Sequence, residues 1–252
     1  MNPLLYGHNP EEHIVAVQQR TDSLVRIYKR PEGKVSHEDA EFFPFFFLSD
    51  SFLIQGFSRF HWLKELTGSH FYKYLVVFKR WSEMWEAVNF ILTEYNKNRR
   101  PLASSYLDVD SLLLRPDPVY HYLMQAGKTS FKGLVFQDLH RLQVDIQVFS
   151  KEQRLRSASR NLDRIIVISL SDGNTWEHQL DGRKLGEKEM LEQFVNIIRE
   201  QDPDIIEGHE LFGFLLPYLT QRCKLHSVDL TIGRDGSTVR TYQKRFYSEN
   251  EQ

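Results

Sequence analysis

The 252-residue chain has a single cysteine, Cys223. An internal disulfide needs two, so a disulfide-stapled secreted scaffold is excluded and a reducing compartment is expected. No apolar run approaches the ~20 residues that a membrane helix requires. The greasiest stretch, Phe42 to Leu48, is short and runs into Ser49 and Asp50. The N-terminus, MNPLLYGHNPEEH, lacks the basic start and apolar core of a signal peptide. Neither sign of charge dominates, with 32 Lys and Arg against 34 Asp and Glu and a net charge of −2. That balance argues against a strong sequence-blind nucleic-acid binder but leaves room for a local basic groove. The ten histidines show no His-Glu-x-x-His spacing and no pairing with the cysteine, which speaks against zinc. Repeats and low-complexity tracts are absent. What remains is an ordinary globular composition, 41% hydrophobic and 26% charged, sufficient for one large domain or two modest ones.

The first half mixes strand and helix patterns. Residues 13–18 and 24–29 read as strands, with Pro31-Glu32-Gly33 as the turn after the second. Phe42 to Leu48, interrupted by Pro44, reads as a third strand, and Phe71 to Phe78 as a fourth. Trp81, Met84, Trp85, Val88, Ile91, Leu92 and Tyr95 then share one helical face, the pattern of a helix packed on a sheet. Lys97, Arg99 and Arg100 end that helix, where cations complement its dipole. Residues 101–132 read as a connector. Gly127-Lys128-Thr129 has the tail of a phosphate-binding loop, but Tyr122 stands where that loop needs glycine.

The second half has a clearer order. Leu142, Val144, Ile146 and Val148 alternate with Gln143, Asp145, Gln147 and Phe149 along one strand. Arg164 to Leu170 and Thr175 to Leu180 form a hairpin about Ser171-Asp172-Gly173-Asn174. Residues 186–201 form an amphipathic helix, 204–208 a short strand, and 214–225 a second helix containing Cys223 as a buried structural thiol. Residues 230–236 start a further hairpin. Three antiparallel strands, a helical crossover and a fourth strand parallel to the first are the layout of a ribonuclease-H-like core.

Asp145 and Gln147 project from the same strand face. Two carboxylates at that spacing could hold paired divalent metals for phosphodiester cleavage, but a glutamine offers only a neutral oxygen. The segment from Phe131-Lys132-Gly133-Leu134 through Asp145-Ile146-Gln147 resembles the opening of the 3′–5′ exonuclease domain of family B DNA polymerases, of bacterial or archaeal type, whose first motif is Asp-x-Glu. The run from Asp202-Pro203-Asp204 through Gly208-His209-Glu210 to Phe214-Leu215-Leu216-Pro217-Tyr218-Leu219 resembles the family's second motif, Gly-His-Asn followed by Phe-Asp. Leu230-Thr231-Ile232-Gly233-Arg234-Asp235-Gly236-Ser237 is similar to the family's continuation. Phe42 to Leu48 and Asp50 resemble the β-rich domain that precedes it.

The resemblance implies a mixed α+β or α/β fold. A β-rich N-terminal domain would span residues 1–130. A ribonuclease-H-like exonuclease domain with a mixed sheet would span 131–252, stopping before the family's third motif, Tyr-x-x-x-Asp. Position by position, Asp145 keeps the first-motif aspartate, Gln147 replaces the glutamate, Glu210 replaces the asparagine and Leu215 replaces the metal-binding aspartate. The expectation is a catalytically silent exonuclease fold with no cofactor. Its implied role is structural and DNA-guiding in DNA replication or repair, in the cytoplasm and at the nucleoid in a bacterium or archaeon. Its partners would be single-stranded DNA or primer–template and the remaining polymerase domains, in cis or in trans, with no membrane. One alternative is an active exonuclease using Mg²⁺ or Mn²⁺, with Glu207 or Glu210, near His209, as a substitute ligand. Another is a free-standing protein-interaction module whose old catalytic face Leu215 has made apolar. Lys151, Arg154, Arg156, Arg160 and Arg164 form a basic stretch that could meet phosphates, as could Arg240, Lys244 and Arg245. Each stretch also reads as a solvated surface.

Overall fold

A computed structural model describes residue 2 and residues 7–97, 101–150 and 157–239. The chain packs into two compact units, residues 1–135 and 136–252.

Unit 1 holds two antiparallel sheets. The first is the meander β1 (Ile14–Gln19), β2 (Leu24–Lys29) and β3 (Ser36–Glu41). β3 was not expected, because its sequence SHEDAE has no apolar alternation. It is held by its ladder to β2 and by cross-strand charge pairs, Arg26 to Asp39 at 2.6 and 2.9 Å and Lys29 to Glu38 at 2.8 Å. The expected third strand is shorter than read and becomes β4 (Phe45–Leu48). Pro44 has no N–H to give the ladder, so pairing begins after it. Phe42 instead enters a small core with Ile14, Val25, Ile27 and Tyr122.

The second sheet has the order β5-β6-β4-β7, formed by β5 (Trp62–Glu65), β6 (Tyr74–Val77), β4 and β7 (Leu112–Leu113). β5 and β7 are additions to the reading, and β6 is the expected fourth strand trimmed to its centre. Helix α1 (Trp81–Asn96) buries Met84, Ala87, Val88 and Ile91 against Phe46, Leu48, Val76 and Phe78. The helical periodicity located that face correctly. Lys97 pairs with Glu94 beyond the last turn, while Arg99 and Arg100 lie outside the described residues.

The stretch read as a connector contains a capped helix, α2 (Pro118–Ala126). Asp117 accepts the Val119 amide at 2.8 Å, Pro118 occupies the first turn, and Gly127 closes the helix in the left-handed region at φ 61°. Lys128 is spent on Glu11 and the Tyr122 hydroxyl, which accounts for it without a phosphate. Residues 131–134, attached by sequence to the second half, lie in unit 1. The Phe131 amide bonds to the Ile14 carbonyl, and the His13 amide to the Lys132 carbonyl, both at 2.8 Å.

His121, buried on α2, ties this helix to β4. Its Nδ1 accepts the Phe45 amide at 3.1 Å, and its Nε2 faces the Arg115 carbonyl at 2.7 Å. Burial lowers its pKa, so folding favours the neutral ring. Because the folded value lies below the ordinary 6.5, the stabilisation is complete above that pH and is lost as pH falls through the folded value. Stability to urea is expected to fall as the pH drops below 6.5, with the fall blunted in His121→Gln. An identical pH profile in the variant would exclude His121 as the cause.

Unit 2 follows the expected topology. β8 (Arg141–Phe149), β9 (Arg164–Ser171) and β10 (Glu177–Asp181) form an antiparallel meander. After α3 (Glu187–Gln201), β11 (Ile205–Glu207) pairs parallel to β8, giving the order β10-β9-β8-β11. A π-turn, Leu211–Leu215, leads into α4 (Leu216–Leu225), with Pro217 in its first turn. α3 and α4 bury Met190, Leu191, Phe194, Leu219 and Cys223 against Leu142, Val144, Ile168 and Leu170. Burial pushes the Cys223 thiol up to about 11, as suits an inert core thiol. The hairpin expected after 230 does not form among the described residues. Arg234 turns back to bond Asp202 at 2.5 Å, the Pro203 carbonyl at 2.9 Å and Asp204 at 3.1 Å, which commits the turn to the end of α3. No helix among the described residues is long and apolar enough to cross a membrane.

Candidate functional site

The inward face of β8 alternates without exception. Leu142, Val144, Ile146 and Val148 are buried, while Gln143, Asp145, Gln147 and Phe149 are exposed. Strand register carries this outer face across the sheet. Asp145 stands opposite Ser169 on β9, which stands opposite Gln179 on β10. One pleat away, Gln143 lies between Ser171 and Glu207, and Ser171 faces Glu177. These rows, with His178, Gly208 and His209, line an open cleft of about 790 Å³. Sequence reasoning missed the contributions of β9 and β10. The signal was present, because a hairpin paired to β8 must put every second residue on the same side as Asp145.

Glu207 is not a free carboxylate. Arg141, two residues before its cross-strand partner Gln143 on β8, grips it with two bonds, Nε to Oε2 at 3.1 Å and Nη2 to Oε1 at 2.5 Å. That guanidinium holds the Glu207 carboxyl below the usual carboxylate range. Arg141 also lies 4.0 Å from the centre of the Phe136 ring, so the cation is fixed in place. Asp145 and Glu177 have no ion-pair partner among the described residues. The cleft therefore carries excess negative charge.

The other motif positions are dispersed. Gln147 sits on the outer face opposite Val167, beyond the cleft lining. Glu210 is exposed in a left-handed turn at φ 46°, and its carbonyl receives the Phe214 and Leu215 amides at 2.8 and 3.1 Å. Leu215 is 1% exposed and belongs to the core beneath the sheet. It does not make the cleft face apolar, which corrects the expectation behind the protein-interaction reading. Its burial follows a helical spacing with Leu219 and Cys223 along the π-turn and α4.

These donors do not suit a pair of divalent cations. Mg²⁺ and Mn²⁺ sites of this kind need several charged oxygens converging at 2.0–2.1 Å-type distances, roughly octahedral. Here one position is an amide, one is a buried leucine, and the substitute Glu207 is neutralised by Arg141. Among the described residues no three His, Cys, Asp or Glu side chains gather closely enough to hold a metal ion.

Of the basic stretch, Lys151, Arg154 and Arg156 lie outside the described residues, as do Arg240, Lys244 and Arg245. Arg160 is exposed and pairs with buried Asp163 at 3.5 Å. Arg164 is exposed at the first position of β9. The loop before β9 is anchored from below. Asp163 receives the Ser150 hydroxyl at 2.7 Å and the Ser157 amide at 2.8 Å, and its carbonyl accepts the Tyr218 hydroxyl at 2.8 Å. The Ser157 amide, the Ser150 hydroxyl and nearby arginines together keep its carboxyl low.

The family model for the exonuclease domain of DNA polymerase family B matches residues 184–251. A DNA polymerase of Archaeoglobus fulgidus is 40% identical over 77 residues, 31% of this chain and 10% of that protein. One from a Thermococcus species is 30% identical over 125 residues, 46% of this chain and 15% of that protein. The DNA polymerase of Thermococcus litoralis is 25% identical over 232 residues, 84% of this chain and 13% of the relative. The chain thus corresponds to a small part of each relative's length. The structure of the family B DNA polymerase from Pyrobaculum calidifontis has the same fold over 88% of this chain and 33% of that one, with a TM-score of 0.59 and 18% identity.

Proposed function

This chain matches the N-terminal and exonuclease region of family B DNA polymerases, and from that premise we propose that its exonuclease fold does not cleave DNA. Its role is structural: unit 2 is a scaffold that helps guide single-stranded DNA or primer–template beside polymerase domains, carried in cis or supplied in trans, in the cytoplasm. The observation that carries this reading is the fate of the metal-site positions. Asp145 is the one carboxylate left in place on the cleft, Gln147 is neutral, and Leu215 is in the core. The Arg141 clamp on Glu207 speaks against that residue as a substitute ligand. Units 1 and 2 fill the places of the family's N-terminal and exonuclease domains in this reading.

The test uses the purified full chain with 5′-labelled single-stranded DNA and Mg²⁺ or Mn²⁺. No shortening above the level of the Asp145→Ala variant is expected. Stepwise shortening that vanishes in Asp145→Ala would overturn the proposal.

A further inference from the structure

β5 ends the second sheet of unit 1, with β6 as its strand neighbour on one side and no strand on the other among the described residues. Two bonds fix which of its backbone groups face outward. The Phe78 amide bonds the Pro44 carbonyl at 2.8 Å, so the row Tyr74, Val76 and Phe78 directs its backbone groups at β4. Leu75 and Val77 then direct theirs at β5, where register sets them opposite Lys64 and Trp62. The Leu66 amide, bonded to the Lys73 carbonyl at 2.7 Å, continues the same alternation. Trp62 and Lys64 therefore bond inward to β6. Leu63 and Glu65, which alternate with them, turn their N–H and C=O groups away from the sheet. None of those four groups has a hydrogen-bond partner among the described residues.

The side chains of this edge are uncovered as well. Leu63 is 45% exposed and Trp62 43%. Trp62 lines an open apolar groove of about 650 Å³ with Phe45, Leu75 and Val77 of the sheet and Met124 of α2. Lys64 shares the face of Trp62 by strand alternation, while Leu63 points to the other face. The Lys79 ammonium lies 5.8 Å from the centre of the Trp62 ring. Lys64 and Lys79 are both exposed, and neither has a carboxylate partner among the described residues.

We propose that the β5 edge is a strand-addition site for an extended segment of a separate protein, whose residues opposite Trp62, Leu63 and Lys64 are apolar, apolar and acidic. The outward groups of Leu63 and Glu65 supply the main-chain bonds and set the register, and the side chains on the two faces supply the selectivity. An apolar residue opposite Trp62 extends the groove. A second one, opposite Leu63, covers the half-exposed leucine on the other face. A carboxylate opposite Lys64 meets an unneutralised ammonium, and Lys79 adds to the positive field on that side. A second copy of this chain fits less well. The twofold register that pairs Leu63 of each copy with Glu65 of the other satisfies all four backbone groups, but it sets the two Lys64 side chains directly opposite one another. A nucleic acid offers no alternating row of N–H and C=O groups to match the edge. The site belongs to unit 1 alone and does not depend on whether unit 2 cleaves DNA.

The experiment pans a phage-displayed library of random short peptides on the full chain, then titrates a selected peptide made synthetically. The expected consensus holds two adjacent apolar residues next to an acid. Peptide binding should slow amide hydrogen exchange at Leu63 and Glu65 and leave it unchanged at Trp62 and Lys64, whose amides already bond β6. Leu63→Pro removes an outward N–H without touching the β5–β6 ladder, and it should weaken peptide binding about tenfold or more. Lys64→Glu makes the same point at an exposed side chain should Leu63→Pro disturb folding, which circular dichroism reports. Panning on Lys64→Glu should replace the consensus acid with lysine or arginine. No sequence enriched over an unrelated bait protein would overturn the proposal, and so would peptide binding that leaves exchange at Leu63 and Glu65 unaltered. Protection of those two amides by an oligothymidylate, with no protection by any selected peptide, would overturn the protein assignment in favour of nucleic acid.

Discussion

Arg222→Met is expected to destabilise unit 2 by about 3–5 kcal/mol, the usual consequence of leaving a buried charge without its partner. Arg222 is 2% exposed. Its Nε bonds Glu187 at 2.7 Å, its Nη2 meets the other oxygen of the same carboxylate, and its Nη1 bonds the Arg160 carbonyl at 2.8 Å and the Ala158 carbonyl at 3.2 Å. One guanidinium therefore joins α4 to the start of α3 and to the loop before β9. At about 3 °C per kcal/mol for a chain of this size, the midpoint of thermal unfolding should drop by roughly 10–15 °C. Glu187→Leu combined with Arg222→Met should be milder than the single change, because no orphan charge remains. The penalty should also depend on pH. Burial alone would raise the Glu187 carboxyl, but bonds from Arg222, the Ile165 amide and His226 outweigh it and hold the value below 4.5. That stabilisation is present above 4.5 and is lost as pH falls through the lower folded value, so variant and parent should converge in acid. A single variant as stable as the parent at pH 7 would show that the pair contributes nothing net.

The second large effect concerns Leu215. Leu215→Asp writes back the residue that the resembling family places there, yet it is expected to lower stability by several kcal/mol and to create no nuclease. The site is 1% exposed, among Val144, Leu142, Leu219 and Tyr218 in the core, so a carboxylate there loses its water without gaining a cation. Leu215→Ala, a pure loss of packing, should cost about 2–5 kcal/mol and sets the scale for comparison. Urea unfolding measures both. A Leu215→Asp variant that is stable, and whose unfolding midpoint rises with added Mn²⁺, would show that the position still looks onto a metal site and would sink the silent reading.

The parts of the fold that were legible in the sequence are those written in apolar periodicity. β8 announces itself through Leu142, Val144, Ile146 and Val148, and α3 through Met190, Leu191, Phe194, Val195 and Ile198. Their order then fixes the antiparallel meander and the parallel fourth strand. β3 was illegible because charge pairs and a backbone ladder hold it, and neither leaves an apolar pattern. α2 lies inside the stretch 101–132 that reads as a connector, yet its signals are in the sequence: Asp117 is a cap, Pro118 a first-turn proline and Gly127 a terminator. In the site, Asp145 was placed correctly by alternation alone. The partnership of Glu207 with Arg141 spans 66 positions and could not be seen without the register of β11 on β8. The burial of Leu215 could have been found, because it continues the helical row of Leu219 and Cys223.

The turn after β11 separates two kinds of demand on a sequence. A side-chain carbon on Gly208 would stand 2.5 Å from the Val144 carbonyl oxygen, so the strand crossing itself reserves that position for glycine. Glu210 two residues later still adopts the left-handed conformation that asparagine, the residue of the resembling motif, accommodates with least strain. Positions 208 and 210 are thus governed by the path of the main chain, whereas Gln147 faces outward from the sheet and Leu215 is held by core packing. At 208 and 210 the main chain alone sets the demand, and it stands whether or not the cleft above carries out any chemistry.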